Sequence, residues 1–415
     1  MASNHLVRPF AGLRPAAGRA NEIAAPPYDV VNAEEARAAA KEKPNSFFHI
    51  SRAEIDLPEN VDPYSDRVYE TAGKNLQRFK QQGLLVRDTS PCFYVYRITK
   101  GEKVQTGVAA LASVDAYLEN RIRKHELTRP SKEDDRVRQI NAVNSITGPV
   151  LCVHRSEPDL SSVLDRVAAS PSAAIAQNVD GACHELWVIS DVGVIKQIEG
   201  LLNQMDAIYI ADGHHRSAAS ARVAMDRRKR NSLHHGRENY NGFLVVSFPQ
   251  DEVRILDYNR VILDLNGLSP AEFMGILDKH FYIDNRIDPV RPSERLTFGL
   301  YLAGRWSLIR PRNQQLTQDP IKRLDVSVLS NMVFEPMLNV RDQRTDLRID
   351  FVGGSRGPEE IARRVDSGEM AAGFTLFPTS LEDLMNVADA GMIMPPKSTW
   401  FDPKLADGMI SVPLD

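Results

Sequence analysis

Asp212, Gly213, His214, His215 and Arg216 stand where an apolar run, Ile208 to Ile210, gives way to a stretch rich in alanine and serine. The run reads as a strand and Gly213–Arg230 as a helix, so three potentially cationic side chains fall in a first helical turn. Cations there oppose the helix macrodipole and cost roughly 0.3–1 kcal/mol each. An anion reverses that penalty. The N–H groups of Gly213, His214 and His215 belong to the helix's unpaired donors, Gly213 admits close approach, and Arg216 suits bidentate phosphate contact. In the competing reading Asp212 caps the helix and the cations point to solvent. Arg227–Arg230 at the other end complements the dipole and needs no ligand. Replacing Arg216 by alanine is expected to abolish phosphate binding and leave ligand-free stability unchanged or slightly raised.

A second glycine-rich turn, Gly353-Gly354-Ser355-Arg356-Gly357, follows the strand-like RIDFV and precedes a helix with Pro358 at its first position. Gly354, Ser355 and Arg356 are the candidate phosphate contacts there, although turn chemistry alone also explains the glycines. It is neither GxGxxG nor a Walker A loop, and the prolines of MPPKSTW rule out a P-loop at 394–400. In RKHELTRP, His125-Glu126 is not a zinc-protease helix, because position 129 is arginine. Glu126, flanked by Arg123, His125 and Arg129, is a candidate general base or magnesium ligand, against the alternative of a salt-bridged solvated loop. Tyr28 and Asp29 follow Pro26-Pro27 on a rigid extended segment, which makes Asp29 a second candidate base. His49 and His184 read as structural histidines in strands, and His234-His235 as solvated. No GxSxG nucleophile elbow is present.

The elements that must position these groups alternate irregularly. Helical patterns cover Ala33–Lys41, Asp66–Gln82 and Lys132–Asn144, and CFYVYRIT with KVQTGVAALASV reads as a hairpin. FLVVSFP and EVRILDYNRVI read as strands joined by a tight turn. Further on, helices are expected at Pro270–His280, Asp319–Phe334, Pro358–Asp366 and Leu381–Ala390, with strands between them. Hairpins mixed with strand–helix alternation favour α/β or α+β with mixed sheets over a doubly wound fold. Three parts are expected: 1–145, α+β, with AAPPYDV and KHELTRP; 146–266, the strand–helix module with ADGHHR; and 267–415, α/β, with GGSRG.

Composition bounds the partners. The 415 residues carry a net charge of −4, so there is no global attraction to nucleic acid or anionic membrane, and any anion site is local. No run approaches the ~20 apolar residues of a membrane span, and MASNHLVRPF lacks a signal-peptide core. Three cysteines, Cys92, Cys152 and Cys183, lie far apart, which fits a cytoplasmic protein without disulfides.

AAPPYDVV, NSFFHISRAEIDLP, KHELTRP, ADGHHRSAA, LDYNRV, RIDFVGG and MPPKSTWFDPK together resemble the prokaryotic family catalogued as domain of unknown function 1015, from about Pro9 onward. ADGHHRSAA by itself resembles the phosphate-binding motif of the ParB/sulfiredoxin superfamily, in the form found in free L-serine kinases. That resemblance implies a ParB/sulfiredoxin-like central module in which 212–216 cradle donor phosphates and a separate glutamate acts on the substrate hydroxyl. It does not fix the glutamate, and Glu126 is chosen from its charged surroundings. The leading expectation is a kinase or phosphotransferase acting on a small-molecule hydroxyl. Free L-serine would be the acceptor, and ATP, ADP or pyrophosphate with Mg²⁺ the donor. The alternatives are a nucleotide-binding switch without turnover and a phosphate-ester hydrolase or isomerase.

Overall fold

Residues 5–313 and 317–415 are described by the computed structural model; the sequence reading of the start of the chain includes residues 1–4, outside this range. Two units form. One comprises the described residues up to Val253 together with Pro403–Asp415, the other Arg254–Asp402.

The first unit is built on a nine-stranded mixed sheet. Its strands are β1 (Val7–Arg8), β2 (Phe93–Lys100), β3 (Lys103–Ser113), β4 (Ile122–Arg123), β5 (Val150–His154), β6 (Ala174–Val179), β7 (Ala182–Ile189), β8 (Ile208–Asp212) and β9 (Gly242–Pro249). The order is β4-β8-β5-β9-β3-β2-β7-β6, with β1 beside β3. β4 with β8 and β5 with β9 are the parallel pairs; the remaining pairs are antiparallel. β9, GFLVVSFP, is buried along its whole length, as a continuous apolar run between two neighbours requires. The expected hairpin is present: β2 and β3 pair from Tyr94–Ala109 to Lys100–Lys103 around Gly101, whose φ of 61° the tight turn needs.

The longer helices of the unit are α1 (Ala33–Ala40), α2 (Asp66–Gln81), α3 (Pro130–Val143), α4 (Pro158–Ala168), α5 (Val192–Asn203) and α6 (His214–Arg230). α1 starts with a reciprocal capping box between Asn32 and Glu35. α2 buries Val68, Ala72, Leu76 and Phe79 at helical spacing against Phe47, Phe48 and Ile50. α6 and α3 lie together, tied by Arg222 to Glu133 (3.2 Å) and Asp134 (2.6 Å).

The second unit is a six-stranded antiparallel sheet, flanked by α7 (Pro270–His280), α8 (Gly357–Asp366) and α9 (Leu381–Asp389). Its strands are β10 (Tyr258–Ile262), β11 (Phe281–Arg286), β12 (Phe298–Leu302), β13 (Arg305–Pro311), β14 (Ile349–Gly353) and β15 (Ala372–Leu376), in the order β11-β13-β12-β15-β10-β14.

The protein is therefore a mixed-sheet α/β chain. Three local expectations are corrected. FLVVSFP and DYNRV do not form a hairpin: β9 has β3 and β5 on its two edges, and β10 pairs with β14 and β15 in the other unit. His49 lies in a short helix, Phe48–Ser51, where its Nδ1 meets Asp56 at 2.6 Å. The helix expected from Asp319 begins at Asp325 and widens to a π-turn at Ser330–Phe334. The three-part division at 145/146 and 266/267 stays a proposal, with the unit boundary observed at Val253/Arg254. Among the described residues no helix is long and apolar enough to cross a membrane, and the three cysteines are free.

Candidate functional site

Two segments far apart in sequence converge because β4, only two residues long, runs parallel to β8 with Ile122 opposite Ile208 and Arg123 opposite Tyr209. The chain leaving β4 carries His125 and Glu126, and β8 ends at Asp212 and is followed by Gly213 and His214. The His125 and His214 rings meet edge to face at 4.5 Å between centroids, and Glu126 Oε2 lies 3.7 Å from His214 Nδ1. A third segment arrives from the N-terminal part. Ala25 and Asp407 exchange backbone hydrogen bonds, and the Tyr28 N–H donates to Asp407 Oδ2 (3.2 Å), which fixes AAPPYD against the C-terminal segment. Asp29 Oδ2 then accepts from Arg216 Nη2 at 2.9 Å.

Gly213 is the N-cap residue of α6, with φ 98° and ψ 27°, and no side chain caps the helix. A Cβ there would lie 3.3 Å from Val150 Cα, so both conformation and space select glycine. Asp212 does not cap the helix: it pairs with Lys404 Nζ at 3.4 Å. Burial would raise its carboxyl, but Lys404 and then Arg216 outweigh burial and hold it at about 2.

The three expected cations reduce to one. His125 and His214 are 2% and 4% exposed, and burial pushes His125 down to about 4 and His214 well below its ordinary range. Neither ring nitrogen of His125 makes a hydrogen bond of good geometry, although the Ile210 backbone and Asp212 lie close enough to favour its charged form weakly; His214 Nε2 is likewise unpaired. His215 Nε2 accepts from the Arg129 N–H at 3.0 Å, and burial lowers this ring too. A ring that accepts there is the neutral Nδ1–H tautomer. The macrodipole conflict read from three cations is thus a conflict with Arg216 alone. That guanidinium is 5% exposed, donates to the Pro149 carbonyl at 2.6 Å and to Asp29, and lies 5.3 Å from the Tyr28 ring centre. Burial opposes its charge, but Asp29 and Asp212 more than restore it. Arg216 is therefore a buried ion-pair partner, and the expectation that its removal leaves stability untouched is withdrawn.

Arg216 also lines a cavity of about 370 Å³, open mouth included, with Tyr28, Ser51, Arg136, Thr147 and Asp407. The Arg136 guanidinium stacks 3.8 Å from the Tyr28 ring centre and is held by Asp135 at 2.7 Å. Ser51 Oγ, Arg216 Nε and Asp407 Oδ1 are buried there without hydrogen-bond partners. Burial pushes the Asp407 carboxyl up to about 7 against the pull of Arg216. The surface it leaves accessible is mostly apolar, with two guanidinium groups and a carboxyl set into it, the make-up of a small-molecule pocket.

Sequence reading missed Lys404, Asp407 and Arg136. Ala406-Asp407-Gly408 repeats the ADG of 211–213, and Gly408 likewise has a positive φ of 88°. That repeat was the available signal. Tyr28, Asp29, His125, Glu126 and 212–216 come together. The Arg129 backbone joins them, while its side chain is exposed.

Gly354, Ser355 and Arg356 form a short 3-10 turn in the second unit, ahead of α8. Added Cβ atoms at Gly353 and Gly354 would lie 2.7 Å from the Trp400 ring and 2.5 Å from Asp257 Oδ1. Packing accounts for both glycines.

The family described as Protein of unknown function (DUF1015) matches residues 7–327, and the chain belongs to it. The match ends before RIDFVGG and MPPKSTW. No curated protein matches the chain. Among solved structures, a free serine kinase in complex with AMP is similar at 12% identity and a TM-score of 0.35, over 76% of this chain and 94% of that chain. A conserved hypothetical protein from Pyrococcus furiosus is similar at 12% identity and a TM-score of 0.34, over 74% and 96%. SbnI with C-terminal truncation from Staphylococcus aureus is similar at 12% identity and a TM-score of 0.38, over 74% and 87%.

Proposed function

We propose that this chain is a cytoplasmic small-molecule phosphotransferase. In this reading the start of α6 holds the phosphates of ATP, ADP or pyrophosphate, and a hydroxyl compound, free L-serine first, accepts the phosphoryl group. The carrying observation is the uncapped N-terminus of a seventeen-residue helix, entered through a left-handed glycine and set beside a single buried guanidinium. Such an end offers backbone donors and a positive dipole to an anion. Phosphoryl transfer needs mainly positioning and charge compensation, which this end can supply without a Walker A loop.

Local charge sets a condition. Arg216 is matched by Asp29 and Lys404 by Asp212, so these two cations bring no surplus positive charge to a polyphosphate. The donor must therefore carry its own cation, which is the part given to Mg²⁺. Asp29 and Glu126, with side chains 38% and 41% exposed, are the carboxylates available to receive the hydroxyl proton. The cavity shared by Arg216, Arg136 and Asp407 is the place for the acceptor.

Isothermal titration with ATP, ADP and pyrophosphate, with and without Mg²⁺ and L-serine, followed by ³¹P spectroscopy of the mixtures, tests this reading. Donor binding that strengthens with Mg²⁺, and a phosphomonoester signal that needs the acceptor, are expected. Binding without turnover for any acceptor favours the regulatory switch. Release of phosphate from a phosphomonoester without a donor favours the hydrolase, and no binding of any phosphate compound removes all three.

A further inference from the structure

We infer that His125, Glu126 and His214 form a binding site for one divalent first-row transition ion, of the zinc and manganese class rather than magnesium. One ligand atom from each of the three residues lies within 4.8 Å of the other two, and no other such group occurs among the described residues. Both imidazoles are enclosed, at 2% and 4% exposure, and three of their four ring nitrogens lack any hydrogen bond of good geometry. A buried ring nitrogen left unpaired forfeits roughly 1–3 kcal/mol, so two such histidines side by side call for an explanation. A shared cation supplies one: it would take a lone pair from each ring at once.

The geometry is close to that of a coordination shell. Bonds of about 2.0–2.2 Å place tetrahedral ligand atoms roughly 3.4 Å apart. The Glu126–His214 separation of 3.7 Å is near that value, and the longest separation must close by at most about 1.4 Å. Glu126 is the most exposed of the three, with 41% of its side-chain surface in water. Perpendicular rings let the two lone pairs reach one point from different directions. Two imidazoles and one carboxylate are the donor set of zinc hydrolase and non-haem iron centres, whereas magnesium demands oxygen. Three protein ligands also leave a coordination position for water or for an anion's oxygen.

The surrounding charges are mixed. Asp212 favours a cation next to both rings, while Lys124 and His215 face His214 and oppose it. Lys404 neutralises part of Asp212. Moderate rather than extreme affinity follows. The inference does not depend on phosphoryl transfer, because it concerns the two histidines and Glu126 whether or not a phosphate binds nearby.

The test uses the full chain, stripped with EDTA and dialysed. It is titrated calorimetrically with Zn²⁺ and Mn²⁺ in the presence of excess Mg²⁺, and with Co²⁺ in the visible spectrum. One equivalent per chain is expected, undisplaced by Mg²⁺, with cobalt d–d bands of low-coordinate intensity. Glu126→Gln, at a half-exposed position, is expected to weaken binding by at least about tenfold. His125→Gln is expected to abolish the cobalt spectrum; if that variant does not fold, Glu126→Gln decides. Failure of all three ions to bind overturns the inference. So does binding unchanged in Glu126→Gln, which would place the ion on surface histidines such as His234 and His235. ADP titration of the stripped protein is scored separately, so loss of this site and loss of the phosphate site are distinguishable.

Discussion

Arg216→Ala separates the structural role of the guanidinium from its proposed contact with phosphate. The substitution removes the pair with Asp29, the bond to the Pro149 carbonyl and the apolar stem packed against Gly148, where a Cβ would lie 3.3 Å from Arg216 Cδ. Breaking a fully buried ion pair costs about 3–5 kcal/mol, but Asp29 keeps 38% of its side-chain surface in water and rehydrates, so the lower end applies. Leaving a buried carbonyl unpaired adds about 1–3 kcal/mol, and relief of the guanidinium's own desolvation offsets part of that. A net loss of about 3 kcal/mol results. For a unit of this size that corresponds to a fall of roughly 6–12 °C in the transition carrying the first unit. Differential scanning calorimetry in phosphate-free buffer measures it, and Asp29→Asn in a double-mutant cycle isolates the pair. A loss below about 1 kcal/mol, or no coupling to Asp29, would refute the reasoning that Arg216 is a buried structural partner.

Two further outcomes follow. Gly213→Ala forces a left-handed backbone on a residue with a side chain and brings its Cβ within 3.3 Å of Val150, so a loss of about 1–3 kcal/mol in urea unfolding is expected, together with loss of ADP binding. Retained ADP affinity would show that the backbone bend does not serve a ligand. His154 and His184 are each 1% exposed, and burial lowers both to about 4. Their folded values lie below the ordinary 6.5, so the stability from keeping them neutral is complete above about pH 6.5 and is lost as pH falls from there toward 4. The urea midpoint is expected to drop across that window and less steeply in His154→Gln; identical slopes in the variant and the parent would contradict the assignment for His154.

The sequence made the local frame of the site legible, because its signals are local. An apolar run, a glycine and a stretch rich in alanine and serine place β8, Gly213 and α6 in order, and runs rich in β-branched and aromatic residues on either side of Gly101 define the β2–β3 hairpin. What was not legible depends on pairing over long separations. β4 is two residues long and has no periodicity to show, yet its register beside β8 brings His125 and Glu126 to His214. Asp407 reaches Tyr28 across 379 positions, from a segment with no motif except its ADG turn. Charge states were equally hidden. Burial, not residue type, decides that His214 and His215 are neutral, so one cation rather than three opposes the helix dipole. FLVVSFP and DYNRV looked like a hairpin because both are strands near a turn-forming Gln250-Asp251, and only the sheet order shows that their edges are taken by other strands.

Amide hydrogen exchange at Gly213, His214 and His215, with and without Mg²⁺–ADP or Mg²⁺–pyrophosphate, tests the central claim most directly. Slowed exchange at these three amides is expected, at ligand concentrations that match the calorimetric affinity. Ligand binding that leaves them unchanged, or protects a different segment, would contradict a phosphate site at the start of α6.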